Sequence, residues 1–222
     1  MRKIPAAARA AIFILALAAP AAALAQANPG GGAIPAPTCQ RTANALPAEQ
    51  RAALAAAIRQ NPGGQDLTVD HLCVIDAKSA VVALIDFNGL DSAVHVASFD
   101  GKQAVLRKVW SGAIDAASLL RPPGGPKLVF ATQGARGRSF LRRVELLDLA
   151  SGKSETLASG TVDPSGACAG KRLLRLAPRL ADVNKDKQMD IVVEYEEVPC
   201  DQDKAVRRQE IFLADGPGYR RQ

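Results

Sequence analysis

The feature that most constrains this chain is a series of short apolar segments, separated by turn residues, that begins after residue 65. Short apolar segments with glycine, proline, asparagine or aspartate between them are typical of consecutive β-strands. The pattern predicts strands over residues 72–75, 80–87, 93–99, 104–110, 127–132, 140–148, 155–158, 172–176, 190–197 and 209–213. Many short strands with regular turns predict a mainly β, antiparallel fold, either propeller-like or a sandwich.

Two stretches carry the turn residues of a tight β-hairpin. Asp100-Gly101 lies between two apolar strands, and Ser151-Gly152-Lys153 has the same place in a second pair. Glycine adopts the positive backbone angles of such turns at little cost. The two turns are 51 residues apart, a spacing within the range of a propeller blade. Between them, "RPPGGP" at 121–126 suits neither a helix nor a strand and predicts a loop.

A single N-terminal helix is predicted in the stretch "LPAEQRAALAAAIRQNPGG". Pro47 suits a first helical turn, and Glu49 complements the positive end of the helix dipole. Leu54 and Ile58 are four residues apart and therefore lie on one face. The residues Asn61-Pro62-Gly63-Gly64 end the helix. We expect its apolar face to pack against its own domain.

The first 25 residues have the pattern of a secretory signal peptide. Arg2, Lys3 and Arg9 precede and border an apolar run, and Ala23-Leu24-Ala25 fits a cleavage site with small residues at its ends. After the signal peptide no apolar stretch approaches the roughly 20 residues that a membrane span needs. The sequence therefore predicts a periplasmic or secreted protein with no transmembrane segment after cleavage.

The rest of the chain divides into two parts by composition. Residues 26–40 are rich in glycine, proline and alanine, which predicts a flexible linker. Residues 41–222 are long enough for one β-rich domain with its own core.

The charge pattern argues against nucleic acid as a partner. The signal peptide contains three basic and no acidic residues, so its removal lowers the net charge from +6 to +3. The remaining basic pairs are dispersed and interleaved with acidic residues, which is typical of a solvated surface. We therefore expect no nucleic-acid partner.

Four cysteines lie in the exported part of the chain, where disulfides are stable: Cys39, Cys73, Cys168 and Cys200. The sequence alone allows three pairings. We favour Cys39 with Cys73 and Cys168 with Cys200, because each pair closes a modest local loop. Zinc ligation is a poorer interpretation, since no Cys-x-x-Cys motif is present.

The stretch "DVNKDKQMD" carries the pattern of a cation-binding loop. Counted from Asp182 as position 1, oxygen-bearing side chains fall at positions 1, 3, 5 and 9, and a backbone carbonyl at position 7 completes the alternation. Alternate residues of a curled loop point inward, and carboxylate, amide and carbonyl oxygens are the ligands that calcium prefers. The candidate ligands are Asp182, Asn184, Asp186, Gln188 and Asp190.

The segment 181–222 resembles one FG-GAP or VCBS-type repeat, the kind found in integrin-like propellers and in many exported bacterial proteins. The D-x-[DN]-x-D-x-x-x-D loop runs into an apolar strand, and "EIFLADGPGY" then supplies Asp215, Gly216 and Tyr219 in the family's order. Residues 85–110 resemble a degenerate copy. The resemblance implies a β-propeller-type fold and calcium bound at the five candidate ligands.

Two lysines depart from the usual calcium loop. Lys187 stands at position 6, where glycine normally supplies a positive backbone angle, and a lysine there costs on the order of 1 kcal/mol. Lys185 adds a second positive charge, so we expect modest affinity. A polar turn satisfied by water and local hydrogen bonds remains the alternative. An earlier turn with Asp86, Asn88 and Asp91 lacks the full spacing.

Catalytic motifs have little support in the sequence. His71 and His95 are the only histidines, and neither belongs to a recognised nucleophile or metal motif. Glu194, Glu196 and Glu197 could supply a carboxylate pair for glycoside chemistry, but Glu196 is expected to face solvent. The sequence favours a non-enzymatic, calcium-stabilised protein that binds a protein or cell-surface partner. An exported hydrolase that uses the aspartate cluster to bind a catalytic metal is the alternative.

Overall fold

Antiparallel β-sheet dominates the computed structural model of this protein, which describes residues 39–62, 66–86, 92–136, 139–162 and 171–222. The described residues belong to one compact unit. No helix among them is both long and apolar enough to cross a membrane. The predicted signal peptide and almost all of the predicted linker lie outside the described residues, as do Cys168, Asn88 and Asp91.

The first sheet contains four strands and is joined to the helix. The helix α1 spans Ala48–Gln60, and a short 3-10 turn at Ala43–Ala45 precedes it. The strands follow in the order β1-β2-β3-β4, each antiparallel to its neighbour. Their bounds are β1 Leu67–Asp76, β2 Ser79–Asp86, β3 Ser92–Asp100 and β4 Gln103–Ser111.

The second and third sheets repeat the same four-stranded antiparallel order. The second sheet consists of β5 Ala116–Leu120, β6 Lys127–Arg136, β7 Ser139–Asp148 and β8 Ser154–Val162. The third sheet consists of β9 Lys171–Ala181, β10 Asp190–Pro199, β11 Val206–Asp215 and β12 Gly218–Arg221. Each strand therefore pairs with the strands that precede and follow it within its sheet.

The helix and the three sheets are stacked in layers, and an apolar core lies between each pair of neighbouring layers. The first core lies between α1 and the outer face of the first sheet, where Leu54 packs with Leu72 and Val82. The second joins the inner face of the first sheet to the second sheet, around Phe130. The third joins the opposite face of the second sheet to the third sheet, around Val129. The layer order is therefore helix, first sheet, second sheet, third sheet.

Burial on both faces explains the composition of the second sheet. A strand with one solvent-exposed face alternates apolar and polar residues, whereas a strand that is buried on both faces is almost continuously apolar. In β6 the residues Leu128, Val129 and Phe130 are fully buried, although successive side chains point to opposite faces. Strand β4, at the edge of the first sheet, instead has one solvent-exposed face, on which Val105 is 68% exposed.

Both predicted hairpins are confirmed. Asp100 pairs with Gln103 across a two-residue turn in which Gly101 has a φ of 57°. The β7–β8 turn has Gly152 at a φ of 73°, and its N–H donates to the Asp148 carbonyl at 2.8 Å. Both glycines therefore lie in the left-handed region, where a residue with a Cβ is strained. The "RPPGGP" segment is a connection between β5 and β6, as predicted.

Two strands were not predicted from the sequence. The strand β5 is the alanine-containing segment "AASLL", and alanine is depleted in strands. It forms because Ala117 and Leu119 are buried in the core shared with the first sheet. The strand β12 has only four residues and pairs with β11 beyond the Gly216 turn. The predicted segment 72–75 is part of a longer strand, β1.

The helix and one disulfide fix the N-terminal part of the domain. As predicted, α1 begins after Pro47 and buries Leu54 and Ile58 against its own domain. The predicted disulfide between Cys39 and Cys73 is confirmed. It is reinforced by hydrogen bonds in both directions between the backbones of Gln40 and Leu72. Cys200 is also disulfide-bonded, but its predicted partner lies outside the described residues.

The fold class predicted from the sequence is confirmed as mainly β and antiparallel, with one N-terminal α-helix. The three sheets pack face to face in a sandwich-like arrangement. The described strands form no closed barrel, and a propeller, which needs sheets arranged in a ring, is not shown.

Candidate functional site

The predicted cation loop connects β9 to β10 in the third sheet. Ala181 ends β9 and pairs with Asp190, the first residue of β10. This pairing holds the two ends of the loop side by side. The seven residues between Asp182 and Asp190 therefore form a short closed link on the edge of a sheet rather than a long excursion.

Asp190 fastens this loop to the rest of the sheet. Its side chain is fully buried, and its Oδ2 accepts a hydrogen bond from the Val183 N–H at 2.8 Å. Its Oδ1 accepts a second bond from the Ala214 N–H in β11, also at 2.8 Å. One carboxylate thus ties the start of the loop to a strand 24 residues further along. A buried carboxylate without such donors would be strongly destabilising.

A tyrosine near Asp190 shows the electrostatic effect of this arrangement. Burial, together with the charge of Asp190, raises the pKa of Tyr219 to about 12. Tyr219 packs against the core between the second and third sheets. The sequence predicted Tyr219 as part of the repeat, and the structure places it on β12, close enough to be affected by the carboxylate.

The other loop side chains fold back onto the loop backbone. Asp182 accepts bonds from the N–H groups of Asp186 and Lys187, at 3.1 and 3.0 Å. The Asp186 N–H also donates to Asn184 Oδ1 at 3.2 Å. Asp186 accepts from the Gln188 N–H at 2.8 Å and from the Asn184 side-chain amide at 2.9 Å. Such side-chain to backbone bonds are typical of turns built from aspartate and asparagine.

Both lysines of the loop have left-handed backbone angles, and Lys187 has its angle at position 6, where calcium loops of this type carry glycine. Lys185 has a φ of 64° and Lys187 a φ of 69°. Both lie in the left-handed region, which costs a residue with a Cβ roughly 1 kcal/mol or more. Both side chains are exposed. The hydrogen bonds of Asp182 and Asp186 hold the loop in this conformation despite the cost.

The oxygen atoms of the loop are of the types that calcium binds, but their present hydrogen bonds occupy them. Carboxylate and amide oxygens from Asp182, Asn184 and Asp186 line one short loop, and these are the oxygens that calcium prefers. However, every side-chain oxygen of the four predicted side-chain ligands already accepts a hydrogen bond from the protein. In the described part of the chain, no three histidine, cysteine, aspartate or glutamate side chains are grouped to hold a metal. Calcium would therefore compete with existing hydrogen bonds.

The remaining sequence candidates lie elsewhere. Of the earlier acidic turn only Asp86 is described, at the end of β2. His71 is buried, with its Nδ1 2.9 Å from Asp70 Oδ2. His95 lies on β3 and is also buried. The described residues do not bring these three side chains together with the cation loop.

Two of the three glutamates of β10, Glu194 and Glu196, belong to a polar ladder on the outer face of the third sheet. Glu194 accepts from Arg179 Nε at 2.9 Å and from Gln209 Nε2 at 3.3 Å, and Glu196 accepts from Arg207 at 3.4 Å. Glu197 points to the other face, where it pairs with Lys171 and Arg208. Each of the three carboxylates is paired with a cation, which is typical of a structural ladder rather than of an acid–base pair.

The sequence analysis did not identify this ladder. Glu196 was expected to face solvent, and its side chain is 27% exposed. The signal in the sequence was the alternation of Glu194 and Glu196 in one strand with Arg207 and Gln209 in the next. Only the strand register shows that these residues are cross-strand neighbours.

Comparisons of this chain with protein-family models, with curated proteins and with solved structures give no match.

Proposed function

We propose that this protein is exported and non-enzymatic, that calcium stabilises its β9–β10 loop, and that it binds a protein partner. The observation that carries the proposal is that the side-chain oxygens of Asp182, Asn184 and Asp186 lie close together within one short loop. The left-handed angle of Lys187, at the position where calcium loops of this type carry glycine, supports it. The resemblance of segment 181–222 to an FG-GAP or VCBS-type repeat also supports it and stays a prediction.

Two features support export. The N-terminal residues have the pattern of a signal peptide. The disulfide between Cys39 and Cys73 is of a kind that persists in oxidising compartments such as the periplasm or the extracellular space.

Calcium in this loop would act by stabilising structure. The ligands would be the side-chain oxygens of Asp182, Asn184, Asp186 and Asp190, together with the carbonyl of Gln188. Because the loop connects β9 to β10, and Asp190 also holds β11, fixing the loop fixes three strands of the third sheet. The two lysines and the competing hydrogen bonds argue for modest affinity.

Thermal unfolding with calcium and with a chelator tests the loop. Calcium at about 10 to 100 times its dissociation constant stabilises a folded protein by roughly 1 to 3 kcal/mol, so the melting temperature should rise by a few degrees. Asp186→Ala should abolish the rise while the protein remains folded. Asp203→Ala, an exposed residue in the β10–β11 connection, is the matched control and should retain the rise. Identical wild-type melts with calcium and with chelator would remove calcium from the proposal.

The outer face of the third sheet is where we place the protein partner. The helix and the two other sheets cover the remaining broad faces, whereas this face carries Arg175, Arg179 and Arg207 against Glu194 and Glu196. Its cationic excess suits an acidic protein surface, and the Arg207 side chain is 81% exposed.

A charge-reversal pair tests this surface. Wild-type protein and an Arg51→Glu control should co-purify the same partner from envelope extracts of the cells that make it, because Arg51 lies on α1 at the opposite end of the layers. The double variant Arg175→Glu/Arg207→Glu should not. Equal recovery of every co-purifying protein by all three forms would contradict the placement of the partner surface.

A further inference from the structure

Residues 39–42, which precede the 3-10 turn, lie along the edges of two sheets. The Gln40 N–H donates to the Leu72 carbonyl at 2.8 Å, and the Leu72 N–H donates to the Gln40 carbonyl at 2.7 Å. The Cys39 N–H donates to the Ala117 carbonyl at 3.3 Å. Leu72 belongs to β1 and Ala117 to β5, so the segment joins the edge of the first sheet to the edge of the second. We call residues 39–42 the edge strap.

The edge strap covers part of the outer edge of β1. This strand is the outermost of its sheet, so the backbone N–H and C=O groups of alternate residues point away from β2. Gln40 occupies the groups of Leu72, and the Arg121 side chain donates to the carbonyls of Val74 and Ile75 at 3.1 and 3.0 Å. The strap and Arg121 therefore protect neighbouring parts of one edge, and open edges are where a strand of another molecule can pair.

Non-covalent contacts hold the edge strap only weakly. The side chains of residues 40–42 are exposed, and Arg41 reaches the Asp115 carbonyl at 3.5 Å. The next fully anchored side chain along the chain is Leu46, which is 3% exposed. The net contribution of three backbone hydrogen bonds is comparable to the conformational entropy that is lost when the residues of such a segment are ordered. The strap therefore depends on its covalent attachment.

The disulfide between Cys39 and Cys73 provides that attachment. Cys73 is 4% exposed and lies in the second core, where a free cysteine behaves as a small apolar side chain. The helix α1 has its own contacts with the first sheet, through Leu54 and Ile58. Breaking the disulfide therefore frees the strap without opening a core, which is how weakly held segments open while the rest of a protein stays folded.

We propose that the Cys39–Cys73 disulfide is a redox switch that controls the edge strap. In the oxidised protein the strap covers the edge of β1, and after reduction it detaches while α1 and the sheets stay folded. A dithiol supplies two electrons and two protons: the S–S bond breaks, both cysteines become thiols, and the dithiol becomes a disulfide. Reduction thereby uncovers the N–H and C=O of Leu72, at an edge where another β-strand can pair.

Amide hydrogen exchange of the oxidised and the reduced protein tests this switch. The variant Cys168→Ser/Cys200→Ser retains only Cys39 and Cys73, so dithiothreitol acts on this one bond. Reduction should raise the exchange rate of the Leu72 amide at least about tenfold, and should change that of Val82, across the β1–β2 pair, by less than about twofold. Reoxidation should restore the slow exchange of Leu72.

Two results would overturn the proposal. An unchanged Leu72 exchange rate after complete reduction would show that the strap stays in place without the disulfide. Equal increases at Leu72 and Val82 would show a general loss of stability rather than the release of one segment. The variant Cys39→Ala/Cys73→Ala, which keeps the other two cysteines, should show the fast Leu72 exchange without reductant. It decides the question by itself if the first variant does not fold.

Discussion

Asp148 shows how one carboxylate fixes a hairpin in this protein. Its Oδ2 accepts a hydrogen bond from Lys127 Nζ at 2.8 Å, across the β6–β7 pair. Its Oδ1 accepts from both the N–H and the hydroxyl of Ser151, each at 2.8 Å, in the β7–β8 turn. The Lys127 bond, followed by the Ser151 N–H bond, holds the pKa of Asp148 well below its usual value.

This lowered pKa predicts how stability depends on pH. The folded pKa lies below the unfolded value of 3.8, so ionised Asp148 stabilises the protein at neutral pH, and this contribution is lost as the pH falls below 3.8 toward the folded pKa. Asp148→Asn should lower the free energy of unfolding by about 1 kcal/mol at pH 7. The difference from wild type should shrink on acidification.

Urea unfolding of the wild type and Asp148→Asn between pH 7 and about pH 2 measures this difference. Asp201→Asn, at an exposed position in the β10–β11 connection, provides the matched control. A difference between wild type and Asp148→Asn that stays constant across the pH range would show that the carboxylate charge has no role.

Single residues also show how far the candidate site could be predicted. The spacing of Asp182, Asn184 and Asp186 predicted side chains turned into the loop, and they are turned in, because local spacing decides contacts between near neighbours. The bond from Ala214 to Asp190 could not be predicted, since it depends on strand register. The depression beside the end of α1, whose wall includes Leu67, Leu84 and Lys108, could not be predicted for the same reason, because these residues are far apart in the sequence.

At the scale of elements, α1 is a packing element of the first sheet. Leu54 is 1% exposed and belongs to the core shared with β1, β2 and β3. The helix is rich in alanine, so a few large side chains supply most of its apolar contact. Helical stability in proteins comes mainly from such packing rather than from intrinsic propensity.

Removal of the Leu54 side chain should therefore be costly. Leu54→Ala leaves a cavity in a close-packed core and should lower the free energy of unfolding by about 3 kcal/mol. Leu174→Ala is the matched control, because Leu174 on β9 is 42% exposed, and its effect should stay within about 0.5 kcal/mol. Chemical denaturation measures both. Equal losses in the two variants would mean that α1 does not depend on this contact.

Elements with strong local signals were predictable, and elements held by tertiary contacts were not. The hairpin at Asp100-Gly101 and the helix were predicted because turn chemistry and apolar periodicity are local properties. The strand β5 was missed because "AASLL" has weak strand propensity, and its burial between two sheets overrides that propensity.

At the scale of the whole molecule, the second sheet links the other layers. Successive residues of β6 belong to different cores: Phe130 packs toward the first sheet, and Val129 packs toward the third. The sequence showed continuous apolar residues in this segment but not which layers would cover them. The order of the layers follows from contacts between distant segments, which periodicity does not encode.

The shared second sheet predicts that all three sheets unfold together. Trp110 is the only tryptophan of the chain and reports on the second core, where its ring centroid lies 4.9 Å from that of Phe130. Val129→Ala removes atoms only from the third core, and should cost about 2 kcal/mol. Because one sheet serves both cores, the midpoint of Trp110 fluorescence should fall together with the midpoint of far-ultraviolet circular dichroism.

Val105→Ala is the matched control, since Val105 is 68% exposed and its loss should shift neither midpoint by more than the equivalent of about 0.5 kcal/mol. If the Val129→Ala transition seen by Trp110 stayed at the wild-type midpoint while the dichroism signal moved, the third sheet would unfold separately from the first. Coincident shifts would instead mean that a substitution on one face of β6 also destabilises the packing on its other face. The three sheets would then unfold as one cooperative unit.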